Sequence, residues 1–229
     1  MSNNKPWFPN DYLVKEMFLS VTPQDIVIVK NILNCVQTFL PIINPVFILQ
    51  QKLSVALIYD GLRESMGNNI SIESHGESIA WDETIIAGLE KFSKQDFYWT
   101  CPSLIEDLAI GRQTYERFSP FGVAKSKMTL ANYIKFRSSI VPIINESMIA
   151  FSQDKDVVFY QVAGEFILLA GKEKILTEIY GGNYKESWQV LSQVLYKINN
   201  ANTVQLPIYG NLVDYLKVAY QVYKDAKMI

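Results

Sequence analysis

The sequence predicts a mainly α-helical protein, a bundle of about 7–8 helices that forms a single compact domain over residues 1–229. Two observations predict this class: apolar residues recur at helical spacing, and helix-start signals precede several of these stretches. A third observation divides the bundle, since the tetrapeptide Pro-Ile-Ile-Asn occurs at 41–44 and again at 142–145. We interpret the copies as an internal duplication of a four-helix unit, with repeats at 17–118 and 119–226.

The first two predicted helices meet at the earlier copy of the tetrapeptide. Residues 21–26 combine a threonine cap with a proline in the first turn, and the apolar spacing that follows extends this helix to Leu40. Pro41 ends the helix, because proline disfavours a helical residue before it and lacks an N–H donor. Asn44 then caps a second helix, which has a proline in its first turn and is predicted to run to about Met66.

Four later helices are predicted from capped or amphipathic stretches, at 82–92, 104–118, 185–198 and 212–227. Two other stretches favour a short β-hairpin. Residues 69–81 alternate apolar and polar positions around a Ser-His-Gly turn. Residues 156–171 are rich in β-formers and contain two glycines, so they form either a buried hairpin or the helix that the repeat requires. A hairpin at 156–171 would weigh against the repeat.

The composition favours a folded protein with more buried surface than usual. Apolar residues make up 49% of the chain, and charged residues make up 19%, below the roughly 25% typical of soluble proteins. This deficit suggests an oligomer, a partner surface, an apolar ligand or a membrane. The net charge of −2 argues against nucleic acid as a partner, although basic and aromatic residues alternate in 125–137.

One uncharged stretch, residues 31–51, has the length of a membrane span. Two prolines and several polar residues interrupt it, so we expect two buried helices there and do not favour a membrane span. The first residues lack the continuous apolar segment of a secretory signal. The two cysteines, Cys35 and Cys101, lie among apolar residues, and we expect them to be buried thiols in a cytoplasmic protein.

The sequence carries no motif for catalysis or metal binding. His75 is the only histidine, which excludes two-histidine zinc sites, and its predicted polar turn favours a surface position. The carboxylate pairs Asp82/Glu83 and Glu106/Asp107 are adjacent in sequence, so their side chains point in different directions on a helix. The glycine-containing segments lack the spacing of a phosphate-binding loop. We therefore expect no catalytic residue, no metal and no cofactor.

The content of tyrosine and tryptophan is the remaining indication of function. The chain has 13 Tyr and 4 Trp, and both types are enriched at protein interfaces. The candidate partner-binding residues are three tyrosines of the last predicted helix and an aromatic pair in a stretch expected to be a loop: Tyr215, Tyr220, Tyr223, Tyr98 and Trp99. A core rich in aromatic residues is the alternative explanation.

These observations predict a non-catalytic protein-interaction or assembly protein, of the immunity, adaptor or scaffold type, that acts through an aromatic helical face. Its partner would be another protein or a second copy of the chain. The alternative is a helical protein that binds a small apolar ligand or lipid, or that acts on membranes, because residues 26–58 are strongly apolar. An enzyme that uses His75 or carboxylates is a third hypothesis.

Overall fold

The fold is built on an antiparallel β-sheet with α-helices on both faces. The structure is a computed structural model that describes residues 24–25, 27–28, 31, 36–37, 42–59, 81–92, 94–100, 124–140, 148–162, 166–180, 183–200 and 211–229. Residues 24–25, 27–28 and 31 are helical, and we call them the N-terminal helical residues. The further elements are β1 Val36–Gln37, β2 Ile42–Ile43, α1 Pro45–Gln50, β3 Ser54–Tyr59, α2 Trp81–Glu90, β4 Asp96–Thr100, β5 Ala124–Lys127, α3 Leu130–Ile140, β6 Met148–Ser152, β7 Val157–Val162, β8 Phe166–Gly171, α4 Glu173–Tyr180, α5 Glu186–Asn200 and α6 Asn211–Asp225.

The main sheet has six strands in the order β3–β8–β7–β6–β4–β5, and every neighbouring pair is antiparallel. Strands β6, β7 and β8 follow one another in sequence and in space. The early strand β3 pairs with β8, where Val55 lies opposite Ala170. On the other side β4 pairs with β6, where Tyr98 lies opposite Phe151. A separate two-stranded sheet joins β1 and β2.

Both faces of the six-stranded sheet are covered by helices. Alternate residues of each strand point to opposite faces, so β3 contributes Val55 to one apolar cluster and Ala56 to the other. The first cluster is closed by the N-terminal helical residues, α1, α5 and α6, which we call the α5–α6 layer. The second cluster is closed by α2, α3 and α4, which we call the α2–α4 layer.

This architecture contradicts the prediction of a mainly α-helical bundle of about 7–8 helices built from a four-helix unit. The helix predicted to reach Leu40 does not do so, since Val36–Gln37 is a strand, and the next helix ends at Gln50 because Ser54–Tyr59 is a strand. Antiparallel sheets usually expose one face, and their strands then alternate in polarity. Here both faces are buried, so the strands other than the edge strand β5 are largely apolar runs that resemble buried helices in sequence.

Several local predictions are confirmed. The structure has helices α2, α5 and α6 at the predicted positions 82–92, 185–198 and 212–227. Asn44 caps α1, since the Val46 N–H donates to Asn44 Oδ1 at 2.9 Å, and Pro45 opens the helix. Residues 156–171 form a hairpin, β7–β8, and not a helix.

Other predictions fall outside the described residues. These are the hairpin at 69–81, apart from Trp81, which begins α2, the helix at 104–118 and the second tetrapeptide at 142–145. After the first tetrapeptide the chain forms the helix α1, whereas after the second it forms the strand β6. The single domain stays a prediction, as does its division into two repeats, but the hairpin at 156–171 weighs against the repeats.

Candidate functional site

The three candidate tyrosines of α6 lie in different environments. Tyr223 is fully buried: the Ile43 N–H donates to its oxygen at 2.9 Å, and its hydroxyl donates to the Ile43 carbonyl at 3.0 Å. Burial raises the pKa of Tyr223 well above its ordinary value, so the hydroxyl keeps its proton. Tyr220 is half-buried, and Lys224 Nζ lies 5.6 Å from its ring centroid. Tyr215 is exposed.

These tyrosines do not form one aromatic face. Successive residues of an α-helix are rotated by about 100°, so Tyr215 and Tyr220 point about 140° apart. The buried residues Leu216, Ala219 and Tyr223 lie between them on the helix surface. Of the three, Tyr215 is the most accessible to a partner, with 37% of its surface exposed.

The aromatic pair that was expected in a loop lies in the six-stranded sheet, one strand from its β5 edge. Tyr98 and Trp99 belong to β4, and both side chains are fully buried. The Tyr98 ring packs on Phe151 with centroids 5.4 Å apart, and the Trp99 ring packs on Phe136 at 5.7 Å. The loop prediction is therefore wrong, and these two rings pack inside the chain.

Exposed large apolar side chains concentrate on one side of the molecule. Among the described residues they are Val27, Val46, Leu49, Ile134, Tyr196 and Tyr215. Five of these six belong to the α5–α6 layer, and only Ile134 lies in the α2–α4 layer. Tyr196 is 71% exposed, the largest value of the set. Tyr196 was not among the residues predicted from the sequence, although it lies off the buried stripe of α5 that Trp188, Leu191 and Leu195 form.

Helices α5 and α4, which lie in opposite layers, differ in charge, whereas the exposed residues of α6 include the charged Asp214, Lys224 and Asp225. The exposed residues between 189 and 197 in α5 are Gln189, Gln193, Tyr196 and Lys197, of which one is charged. Those of α4 are Glu173, Lys174, Thr177 and Glu178, of which three are charged. Charged residues are depleted in the centre of protein interfaces, because their desolvation is costly. The outer side of α5 therefore has the composition of an interface, and that of α4 does not.

A buried ion pair attaches the N-terminal helical residues to the sheet. Asp25 is buried, and its Oδ1 accepts hydrogen bonds from the Tyr98 hydroxyl at 2.6 Å and from Lys125 Nζ at 3.0 Å. Lys125 Nζ also lies 5.5 Å from the Tyr98 ring centroid. Burial, followed by the Asp25 carboxylate, raises the pKa of Tyr98 well above its ordinary value. Tyr98 therefore stays protonated as a donor, and we assign the cluster a structural role.

A second polar cluster lies at the β6–β7 turn. Ser152 Oγ lies 3.0 Å from Asp154 Oδ1 and 2.8 Å from Asp156 Oδ1. Gln95 clamps the turn: its Nε2 donates to Asp156 at 3.2 Å, and its Oε1 accepts from the Asp154 N–H at 3.0 Å. Lys172 Nζ lies 3.4 Å from Asp156 Oδ2. These bonds fix the turn between the hairpin strands.

The two carboxyl groups of this turn differ in pKa. Burial raises the pKa of Asp156, and its hydrogen bond with Asp154 raises it further, above the ordinary value. Burial would also raise the pKa of Asp154, but hydrogen bonds with Asp156, Gln95 and Ser152 outweigh burial and lower it. A buried carboxyl next to a carboxylate holds its proton more tightly. The turn is therefore a pH-sensitive part of the fold.

Metal ligands are not gathered in the part of the chain that the structure describes. No group of three or more His, Cys, Asp or Glu side chains there is placed to hold a metal ion. His75, Cys35 and Cys101 lie outside the described residues, as does the carboxylate pair Glu106/Asp107. Within the described ranges, no helix is long and apolar enough to cross a membrane. No protein-family model, curated protein or solved structure matches the chain.

Proposed function

We propose that this chain is a non-catalytic protein-interaction protein that assembles with a second copy of itself. Its contact surface is the outer side of the α5–α6 layer, with Tyr196 and Tyr215 as the main contact residues. One observation carries the proposal: five of the six exposed large apolar side chains among the described residues lie in this layer. The layer replaces the single aromatic face of α6 that the sequence suggested.

Tyrosine suits such a contact for physical reasons. Its ring is large and rigid, so it buries apolar area at a low cost in conformational entropy, and its hydroxyl hydrogen-bonds at the rim. Neighbouring glutamines are less costly to desolvate than charged groups. The net charge of −2 gives little electrostatic repulsion between copies of the chain.

The two exposed tyrosines lie at the same end of the helix pair. The ring of Trp188, near the start of α5, contacts the ring of Tyr223, near the end of α6, with centroids 5.3 Å apart. This contact pairs opposite ends of the two helices, as in antiparallel packing. Tyr196 follows Trp188 by eight residues, and Tyr215 precedes Tyr223 by eight. At 1.5 Å per residue, both rings lie about 12 Å along the pair from that contact.

Sedimentation equilibrium of matched variants tests the proposal. Tyr196→Ser with Tyr215→Ser should weaken self-association at least about tenfold, because exposed aromatic anchors carry much of the energy of an interface. Ile134→Ser is the control, since Ile134 is 41% exposed in the opposite layer, and it should leave association unchanged. A double variant that associates like the wild-type chain would overturn the proposal, as would a wild-type chain that stays monomeric at every concentration.

The alternative of an apolar-ligand or lipid-binding protein has less support. It arose from a strongly apolar, helical segment at 26–58, and in the structure this region contains the strands β1, β2 and β3. The apolar residues of β3 pack between the two helical layers. We propose the cytoplasm as the location, on the basis of the cysteine content alone.

A further inference from the structure

The strand β3 forms one edge of the six-stranded sheet among the described residues. Its sequence, Ser-Val-Ala-Leu-Ile-Tyr, contains no charge, no proline and no glycine. Uncharged segments of about six residues with high β-propensity pair readily with strands of other molecules. An edge strand of this composition needs protection, because its outward N–H and C=O groups are a template for such pairing.

Two side chains hydrogen-bond to the backbone of this strand. Trp188 Nε1 donates to the Val55 carbonyl at 2.9 Å, and the Tyr180 hydroxyl donates to the Leu57 carbonyl. Val55 and Leu57 are two residues apart, so their carbonyls point to the same side of the strand. The side-chain donors therefore occupy the side of β3 that is turned away from β8.

The two donors reach this edge from opposite faces of the sheet. Tyr180 is the last residue of α4, in the α2–α4 layer, and Trp188 lies in the first turn of α5, in the α5–α6 layer. Both side chains are buried, and the Trp188 ring packs on Tyr223. The chain thus passes from the α2–α4 layer to the α5–α6 layer next to β3, and each layer contributes one hydrogen-bond donor to the edge of the strand.

We propose that Tyr180 and Trp188 form an aromatic clamp that closes the β3 edge against strand pairing with a second copy of the chain. The clamp satisfies two successive edge carbonyls, which an incoming strand would otherwise use as acceptors. It is independent of the contact surface on the α5–α6 layer. Together the two features direct assembly to the helical layer and away from the sheet edge.

Removing both donors while keeping aromatic rings tests the clamp. Tyr180→Phe with Trp188→Phe should form sheet-rich assemblies at least about tenfold faster than the wild-type chain, followed by thioflavin fluorescence over a concentration series. Tyr133→Phe is the matched control, since its buried hydroxyl donates to Gln161 in β7, away from the edge. That control should assemble at the wild-type rate.

A rescue variant separates edge pairing from general loss of stability. Ser54→Lys adds a charge to β3 at a half-exposed position, and charges on an edge strand deter pairing. Added to the double variant, it should return assembly to the wild-type rate. If the double variant unfolds, Tyr180→Phe alone, with and without Ser54→Lys, replaces it. Assembly no faster than in Tyr133→Phe, or unaffected by Ser54→Lys, would overturn the clamp.

Discussion

Tyr223→Phe isolates one buried hydrogen-bonded junction between the end of the chain and its beginning. The ring stays, so packing against Trp188 changes little, but the Ile43 N–H loses the Tyr223 oxygen as an acceptor and the Ile43 carbonyl loses the Tyr223 hydroxyl as a donor. Both residues are fully buried. An unsatisfied buried backbone group costs about 1–3 kcal/mol, and the carbonyl adds a smaller loss. We therefore expect the free energy of unfolding to fall by about 2–4 kcal/mol.

Equilibrium unfolding in urea, at a fixed protein concentration, measures this change. The unfolding midpoint should move to lower urea at an unchanged slope, because the surface exposed on unfolding is the same. Tyr215→Phe removes the same hydroxyl from an exposed ring of the same helix and should change the free energy by less than about 0.5 kcal/mol. A Tyr223→Phe variant as stable as this control would refute the stabilising role of the hydrogen bonds between Tyr223 and Ile43.

Two further predictions concern the charged clusters. Because the pKa of Asp156 is raised, the folded state binds this proton more tightly than the unfolded chain does. The protein therefore loses stability as pH rises from near 3.8, the ordinary pKa of an aspartate, through the raised pKa of the folded state. In denaturant titrations from about pH 4 to about pH 7, Asp156→Asn should therefore gain stability relative to the wild-type chain as pH rises, and a falling difference would contradict this assignment. Lys125→Met removes the ammonium group that lies 3.0 Å from the buried Asp25 carboxylate and should cost about 3 kcal/mol, of which adding Asp25→Asn restores a part. If the effects of the two substitutions on stability in thermal unfolding simply add, Lys125 and Asp25 are not energetically coupled.

The parts of the fold that sequence reasoning predicted depend on local signals. The start of α1 follows from Asn44 and Pro45, whose capping geometry involves only neighbouring residues. Helices α5 and α6 keep one buried stripe and one polar side, so their period is visible in the sequence. The hairpin β7–β8 was one of two alternatives, because its strands are adjacent and rich in β-formers.

The sheet was missed because three of its five pairings, β3–β8, β4–β6 and β4–β5, join strands that are distant in sequence. Strand β3 at Ser54–Tyr59 pairs with β8 at Phe166–Gly171, and no local signal indicates such a partner. The run Phe-Tyr-Trp-Thr of β4 is buried on both faces, so it lacks the alternation of a half-exposed strand. Its short length and its aromatic content were the available evidence for a strand.

The sequence predicted an aromatic contact surface, but only some of the residues predicted for it are exposed in the structure. Tyr215 was selected as one of three tyrosines in the last predicted helix, and it is exposed. Tyr98 and Trp99 were selected as aromatic residues in a stretch expected to be a loop, whereas β4 places them between two helical layers. Tyr196 can be identified as an exposed residue only when the orientation of α5 on the sheet is known. That orientation does not follow from the sequence without the sheet.

Native mass spectrometry of the freshly purified chain tests self-assembly most directly. Over a range of micromolar concentrations, we predict a species at an integer multiple of the 26.2 kDa chain mass, without adducts. Its population should rise with concentration and fall when Tyr196 and Tyr215 are both replaced by serine. A spectrum that contains only the monomer at every concentration would contradict the account, and a monomer with a small removable adduct would favour a ligand-binding protein instead.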